Sequence, residues 1–133
     1  MIINGVNLPD IDVADALAME RYEHAHDNVA KAMDDLHPEG KRQSELIRAQ
    51  CTAVFNFFDE VFGDSTAKKV FGESVNLTTC LIAYEDVIKA VNTLGAKLNY
   101  MYKGKANAIN NNRRGKKHKQ YNHYKKTLKP VTK

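Results

Sequence analysis

The sequence predicts an all-α protein: a small bundle of three long helices and one short helix, followed by a disordered basic tail. Apolar residues recur at alternating steps of three and four over three long segments, which is the spacing of one helix face. Proline, glycine and small polar residues stand between these segments, where helices end and chains turn. With 133 residues, the chain falls in the size range of one domain.

The first eight residues indicate a tiny β-hairpin. Asn4-Gly5 lies between Ile2-Ile3 and Val6, and this dipeptide best tolerates the positive φ angles of a tight turn. An isolated two-stranded ribbon is marginal in water, so we expect the hairpin to lean on the helices or on a partner.

The first long helix is predicted to begin at Pro9 and Asp10 and to run to about Leu36. Aspartates follow in its first turn, where unpaired backbone N–H groups favour negative charge. Pro38 and Gly40 end it, because the residue before a proline avoids helical geometry. Its apolar stripe comprises Ile11, Ala14, Ala18, Tyr22, Ala25, Val29, Ala32 and Leu36.

A second helix, from Lys41 to Phe62, is the most apolar and should be central. Gly63-Asp64-Ser65 supplies a stop and then a cap, which predicts a short helix from Thr66 to Phe71 that Gly72 closes. The second helix carries Ile47, Cys51, Val54, Phe58 and Val61 on one face, and Leu46, Phe55, Phe57 and Phe62 widen the arc.

The last helix is predicted from Leu77 to about Tyr102, with residues 74–76 as its cap. Its connection to the short helix is as brief as antiparallel neighbours need. The predicted stripe comprises Leu77, Leu81, Tyr84, Ile88, Val91, Leu94, Leu98 and Tyr102, with Cys80 and Val87 beside it.

Charge divides the chain into an acidic helical domain, residues 1–102, and a basic tail, residues 103–133. The first holds all 16 acidic residues against 9 Lys and Arg, and the second holds 11 Lys and Arg with no acid. Too few large aliphatic residues follow Tyr102 to offset the entropy of ordering the chain, so we expect a disordered tail. Its charges are concentrated in Arg113, Arg114, Lys116, Lys117, Lys119, Lys125 and Lys126.

The sequence predicts neither catalysis nor a cofactor. It lacks phosphate-binding glycine loops, the nucleophile elbow and the zinc-protease motif. Cys51 and Cys80 fall on apolar helix patterns, so buried thiols are favoured over a nucleophile. His24 lies among Glu20, Glu23 and Asp27 at helical spacing, but an exposed, solvated face explains this cluster better than a metal site. No signal peptide or membrane span is indicated, and a cytoplasmic location is expected.

Phenylalanines give the strongest apolar signal, and core packing is their favoured explanation. Phe57 and Phe58 are adjacent, so they project about 100° apart on a helix. One of them could thus face a groove for a partner helix, and we take Phe57, Phe58, Phe62 and Tyr84 as candidate contacts.

Three stretches carry a family resemblance: 2–9, IINGVNLP; 51–72, CTAVFNFFDEVFGDSTAKKVFG; and 75–88, VNLTTCLIAYEDVI. They resemble small proteins from tail-gene clusters of phages and prophages of Gram-positive bacteria, the tail assembly chaperones of siphophages. The resemblance covers about the first 100 residues. It is a pattern of helices and phenylalanines without a catalytic signature.

The resemblance implies a protein that covers the apolar helices of the tape measure protein until the tail tube assembles, and that is absent from the finished virion. It also implies tail tube protein as a second partner, with the basic tail as a docking arm. A programmed frameshift often extends such proteins, and Lys116-Lys117 fits a slippery codon run. The sequence does not decide whether the chain forms a homo-oligomer.

The competing hypothesis is a nucleic-acid-binding or regulatory protein. In this alternative the tail neutralises phosphates, and Tyr121, His123 and Tyr124 stack on bases between the lysines. A solvated, solubilising tail would account for the same residues. Charge alone does not decide between nucleic acid, an anionic surface and an acidic protein face.

Overall fold

A computed structural model describes the backbone of residues 1–112 and the side chains of residues 1–105. The elements are β1 (Ile2–Ile3), β2 (Val6–Asn7), α1 (Ala16–Asp34), α2 (Gln43–Phe62), α3 (Thr66–Phe71) and α4 (Leu77–Asn112). The predicted mostly helical fold, with three long helices, one short helix and a small hairpin, is therefore confirmed. The chain forms two compact units, one from Met1 to Val91 and one that begins at Asn92.

The hairpin forms as the Asn4-Gly5 dipeptide predicts. Strands β1 and β2 are antiparallel, with Ile3 opposite Val6, and Asn4 and Gly5 have φ angles of 51° and 79°. The turn is fixed to α3, because the Asn4 side-chain amide donates to the carbonyl oxygen of Val70 at 2.8 Å. Ile3 is buried in the core, so the hairpin leans on the helices as expected.

Helix α1 begins at Ala16, six residues after the predicted start. The Asp12 carboxylate accepts from the Ala14 N–H at 3.0 Å, which holds the preceding chain in a turn. Asp15 is the residue that caps the helix, and its carboxylate accepts from the Ala18 N–H at 2.8 Å. Asp12 and Asp15 were predicted to lie in the first turn of the helix. They instead form the turn before the helix and its N-terminal cap.

Helices α1 and α2 form an antiparallel hairpin, and together they contribute eight of the 18 buried apolar residues of the first unit. Helix α2 begins two residues later than predicted and ends at Phe62 as predicted. Tyr22, Ala25 and Val29 are the buried residues of α1, and those of α2 are Cys51, Ala53, Val54, Phe57 and Phe58. The second helix thus contributes the larger share of the core, as its apolar arc predicts.

Helix α3 has the predicted bounds but a different cap. Ser65 has a φ angle of 72° and its side chain makes no cap hydrogen bond. The Asp59 carboxylate, on α2, instead accepts from the Ala67 N–H at 2.8 Å. A side chain eight residues upstream therefore caps α3 and ties it to the end of α2.

Replacing Asp59 with alanine should lower the free energy of unfolding by about 1 kcal/mol, because the Ala67 N–H loses its partner at a partly buried site. Asp59→Asn keeps an acceptor oxygen and should recover part of this loss. Urea denaturation monitored by circular dichroism measures the difference. Asp64→Ala, at an exposed position of the same turn, is the matched control, and an equal loss there would refute the capping role of Asp59.

In the first unit, the buried face of α4 includes Val91 of the predicted stripe and the neighbouring Cys80 and Val87, but it is centred slightly to one side of the prediction. Asn76 caps the helix as expected, accepting from the Thr79 N–H at 3.0 Å. Its buried residues are Cys80, Ala83, Val87 and Val91, whereas Leu81 is 41% exposed. The pattern of large residues placed the stripe about one position too far along the helix, because the small side chains of Cys80 and Ala83 face the aromatic core.

In the second unit, α4 continues to Asn112, ten residues beyond its predicted end. The first ten residues of the predicted tail are therefore helical. Tyr100, Met101 and Tyr102 are exposed on this segment, and Tyr102 therefore does not extend the buried stripe. The seven tail cations, from Arg113 to Lys126, lie outside the described residues, as does most of the predicted disordered segment.

Candidate partner-binding surfaces

Two of the four candidate contacts are buried in the core. Phe57 is 1% exposed and Phe58 is 0% exposed, so both rings lie in the core, and a role of either in partner binding stays a prediction. Other aromatic rings cover them. Phe58 packs edge-on against Phe71 at 5.3 Å, and Phe57 packs edge-on against Tyr84 at 4.9 Å, each measured between ring centroids. Phe62 and Tyr84 are half-buried and remain reachable.

Tyr84 links α4 to α1 through His26. The Tyr84 hydroxyl lies 2.5 Å from Nδ1 of His26, and the two rings stack with centroids 5.7 Å apart. Burial, with the negative charge of Asp27 as a lesser cause, raises the pKa of Tyr84 to about 12. The phenol therefore keeps its proton at neutral pH, and its hydroxyl is held by the hydrogen bond to the histidine nitrogen. Sequence periodicity placed Tyr84 on the apolar stripe of α4, but it did not predict the contact with His26.

An apolar flank of α4 stays partly uncovered in the first unit. Leu77, Leu81 and Ile88 follow one another at four and seven residues, so they share one side of the helix, and Tyr84 lies on the same side. Leu81 is 41% exposed and Ile82, one position further around, is 54% exposed. Leu17 on α1 and Ile2 on β1 are exposed as single residues, which is ordinary for a protein surface. The α4 flank is the broader apolar feature.

A groove of about 340 Å³ runs between α1 and α2. Ala32, Ala53 and Phe57 form its apolar floor, and its rim is polar. Rim residues are Asn28, Lys31, Asp35, Asn56 and Glu60. The sequence analysis expected a groove at Phe57 or Phe58, and Phe57 lines this one. It did not predict that Ala32 and Ala53 line the groove as well, although the small side chains at these positions were a signal for it.

Glu60 is held in place at one end of this groove. One carboxylate oxygen accepts from Nδ1 of His24 at 2.5 Å, and the other accepts from the side-chain amide of Asn28 at 3.2 Å. His24 thus pairs with a carboxylate of α2 rather than with Glu20, Glu23 or Asp27. Among the residues with described side chains, no three His, Cys, Asp or Glu groups converge to hold a metal ion.

The two thiols lie in the core. Cys51 and Cys80 are each 0% exposed, one on α2 and one on α4. Burial raises the pKa of the Cys80 thiol to about 12, and a hydrogen bond with Cys51 contributes to the rise. A reactive thiol needs a lowered pKa and access to solvent, so this environment is that of a structural cysteine.

These features define a small helical domain with an N-terminal hairpin, whose described surface offers an apolar helix flank and a polar-rimmed groove. Within residues 1–112, the helices are too short or too polar to cross a membrane. The chain belongs to the family described as "Family of unknown function (DUF6673)", whose model matches residues 4–120. Comparison with curated proteins and comparison with solved structures each found no match.

Proposed function

We propose that this protein is a non-catalytic tail assembly chaperone that binds apolar helices of a phage tape measure protein. Two observations support the proposal: the resemblance over about the first 100 residues, and the apolar flank of α4. The flank carries the argument, because a chaperone for helices needs an apolar strip that its own fold leaves partly uncovered. In this proposal the protein acts in the host cytoplasm and is absent from the finished virion.

The flank has the shape that a partner helix requires. Leu77, Leu81 and Ile88 stand on one side of α4, so an incoming helix can align its own stripe along them. Each square ångström of apolar surface removed from water contributes roughly 25 cal/mol. Ile82 widens the strip, and the half-buried ring of Tyr84 lies at its edge. Phe57 and Phe58 lie in the core beneath the strip, and their packing fixes the geometry of the strip.

The charge of the first unit supports the second task of a chaperone, which is to keep the complex dispersed. Residues 1–91 hold 16 Asp and Glu against 8 Lys and Arg. Like charge on neighbouring complexes opposes their association, while the apolar flank is covered by the client. The basic tail has the opposite sign and is proposed as a docking arm for tail tube protein.

Co-expression with a fragment of the neighbouring tape measure protein tests the proposal. The soluble yield of the fragment should rise with the intact chain and should fall several-fold toward its unassisted level with the Leu81→Gln/Ile82→Gln variant, which removes apolar contact area. Leu17→Gln, at a site that is 69% exposed on α1, is the matched control and should keep full activity. If the fragment is equally soluble with and without the chain, the chaperone proposal is wrong.

The alternative function, nucleic-acid binding through the tail, is favoured by the 11 Lys and Arg of residues 103–133. The dependence of binding on ionic strength distinguishes the two functions. Binding through phosphate neutralisation weakens steeply as ionic strength rises, whereas burial of an apolar helix changes little. Titrating the full chain with a labelled single-stranded oligonucleotide and with the tape measure fragment, each at two salt concentrations, separates them.

A further inference from the structure

We propose that the groove between α1 and α2 binds an arginine side chain carried on a helix of a partner protein. The groove is separate from the apolar flank of α4, and its occupant is of a different chemistry. The inference therefore goes beyond the chaperone proposal and does not depend on it. It rests on the floor of the groove, on the held carboxylate of Glu60, and on the charge at the end of α1.

The floor suits the aliphatic part of a long side chain. Ala32, Ala53 and Phe57 leave an apolar channel between two helix backbones, and the volume of about 340 Å³ exceeds that of a single side chain. Phe57 is 1% exposed, so the floor is closed beneath and the occupant would lie along it instead of entering the core. The stem of an arginine covers apolar surface in this manner while its charged end stays at the rim.

Glu60 supplies the acceptor at one end of the groove. His24 and Asn28 each donate to a different oxygen of its carboxylate, so the group is oriented before any partner arrives. An ionised carboxylate has about four acceptor sites, and two donors leave capacity for more. A guanidinium presents two parallel N–H groups that match a carboxylate, which a lysine ammonium does not.

The C-terminal end of α1 makes the other end of the groove negative. Asp34 and Asp35 stand at the last residue and the cap of the helix, where the unpaired carbonyls and the helix dipole favour cations. Lys31 also lines the groove and offsets one of these charges. Asp35 and Glu60 against Lys31 still leave the rim with an excess of negative charge, and the excess of acid in residues 1–91 favours the approach of a cation.

Binding of matched helical peptides to the full chain tests the inference. The probe is an alanine-rich helix with one central arginine, and the matched control peptide carries citrulline, which has the same shape and no charge. We expect the arginine peptide to bind about fivefold or more tightly than the citrulline peptide. Its binding should also shift the side-chain amide NMR signals of Asn28 and Asn56 on the rim.

Variants of the chain locate the site. Glu60→Gln should reduce the preference for arginine about fivefold, whereas Glu85→Gln, an exposed acid on α4, should leave it unchanged. Ala32→Leu fills the floor and should weaken both peptides, with circular dichroism confirming that the fold persists. Equal binding of the two peptides, equal effects of the two glutamate variants, or no shift at Asn28 and Asn56 at millimolar peptide would each overturn the inference. Loss of tape measure solubilisation would not bear on it.

Discussion

Phe58→Ala should lower the free energy of unfolding by about 3–5 kcal/mol, the usual cost of removing a buried aromatic ring. Phe58 is 0% exposed and meets three other rings, with centroid distances of 5.5 Å to Phe57, 5.8 Å to Phe62 and 5.3 Å to Phe71. The loss combines the transfer of the ring to water with a cavity that the surrounding helices fill only in part. Since Phe71 belongs to α3, the cavity should also loosen this short helix.

The measurement is urea or thermal denaturation monitored by circular dichroism. A small domain can be unfolded outright by such a loss, so Phe58→Leu, which keeps most of the volume, serves as a second variant with an expected cost of about 1–2 kcal/mol. Phe62→Ala is the matched control on the same helix, and its half-buried ring should cost clearly less. A loss at position 58 no larger than that at position 62 would contradict the core assignment of Phe58.

The bounds of α3 and the turn of the hairpin could be predicted from the sequence, because they depend on the residues at the turns themselves. The bounds of α3 follow from Thr66, Phe71 and the glycines on either side, and the hairpin follows from Asn4-Gly5. In both cases the decisive backbone angles are the positive φ angles of the turn residues, which are Asn4 and Gly5 in the hairpin and Gly63 and Gly72 beside α3. These elements are therefore predicted by residue type without knowledge of what packs against them.

Other boundaries depended on competition between local structures. Asp12 and Asp15 suit the first turn of a helix, but Asp12 also forms a turn with Ala14 and Asp15 also caps a helix. Both choices satisfy backbone N–H groups, and the sequence pattern does not rank them. The start of α1 was therefore placed too early, at residues that lead into the helix.

The buried faces and the groove depended on tertiary packing. The periodicity of α4 gives large residues equal weight wherever they lie, but the aromatic core accepts Cys80 and Ala83 and leaves Leu81 at the surface. Likewise, the groove exists because α1 and α2 place Ala32 and Ala53 opposite each other, beside Phe57. Neither result is a property of one helix, so neither could be predicted from the spacing within one helix.

Alkaline pH should destabilise the protein through Cys80. An unfolded thiol ionises near its ordinary pKa of 9.0, whereas burial keeps the pKa of Cys80 in the folded chain at about 12. Between these values the unfolded state loses a proton that the folded state retains, so the contribution to stability is complete below pH 9 and is lost as the pH rises toward 12. We expect ionisation of the Cys80 thiol in the unfolded state to lower the free energy of unfolding by about 2 kcal/mol between pH 8 and pH 10.5.

Urea denaturation of the wild type and of Cys80→Ala at several values between pH 8 and pH 10.5 measures this effect. The variant should be less stable at pH 8, because a small cavity replaces the sulfur, but its stability should fall less steeply with pH. Tyr84→Phe should flatten the curve only above pH 10, since the phenol pKa rises from 10.0 to about 12. Tyr100→Phe, at a ring that is 74% exposed, should leave the slope as it is. Parallel curves for the wild type and Cys80→Ala would mean that the thiol is not held in the low-dielectric core, and the packing of α4 against α2 would have to be revised.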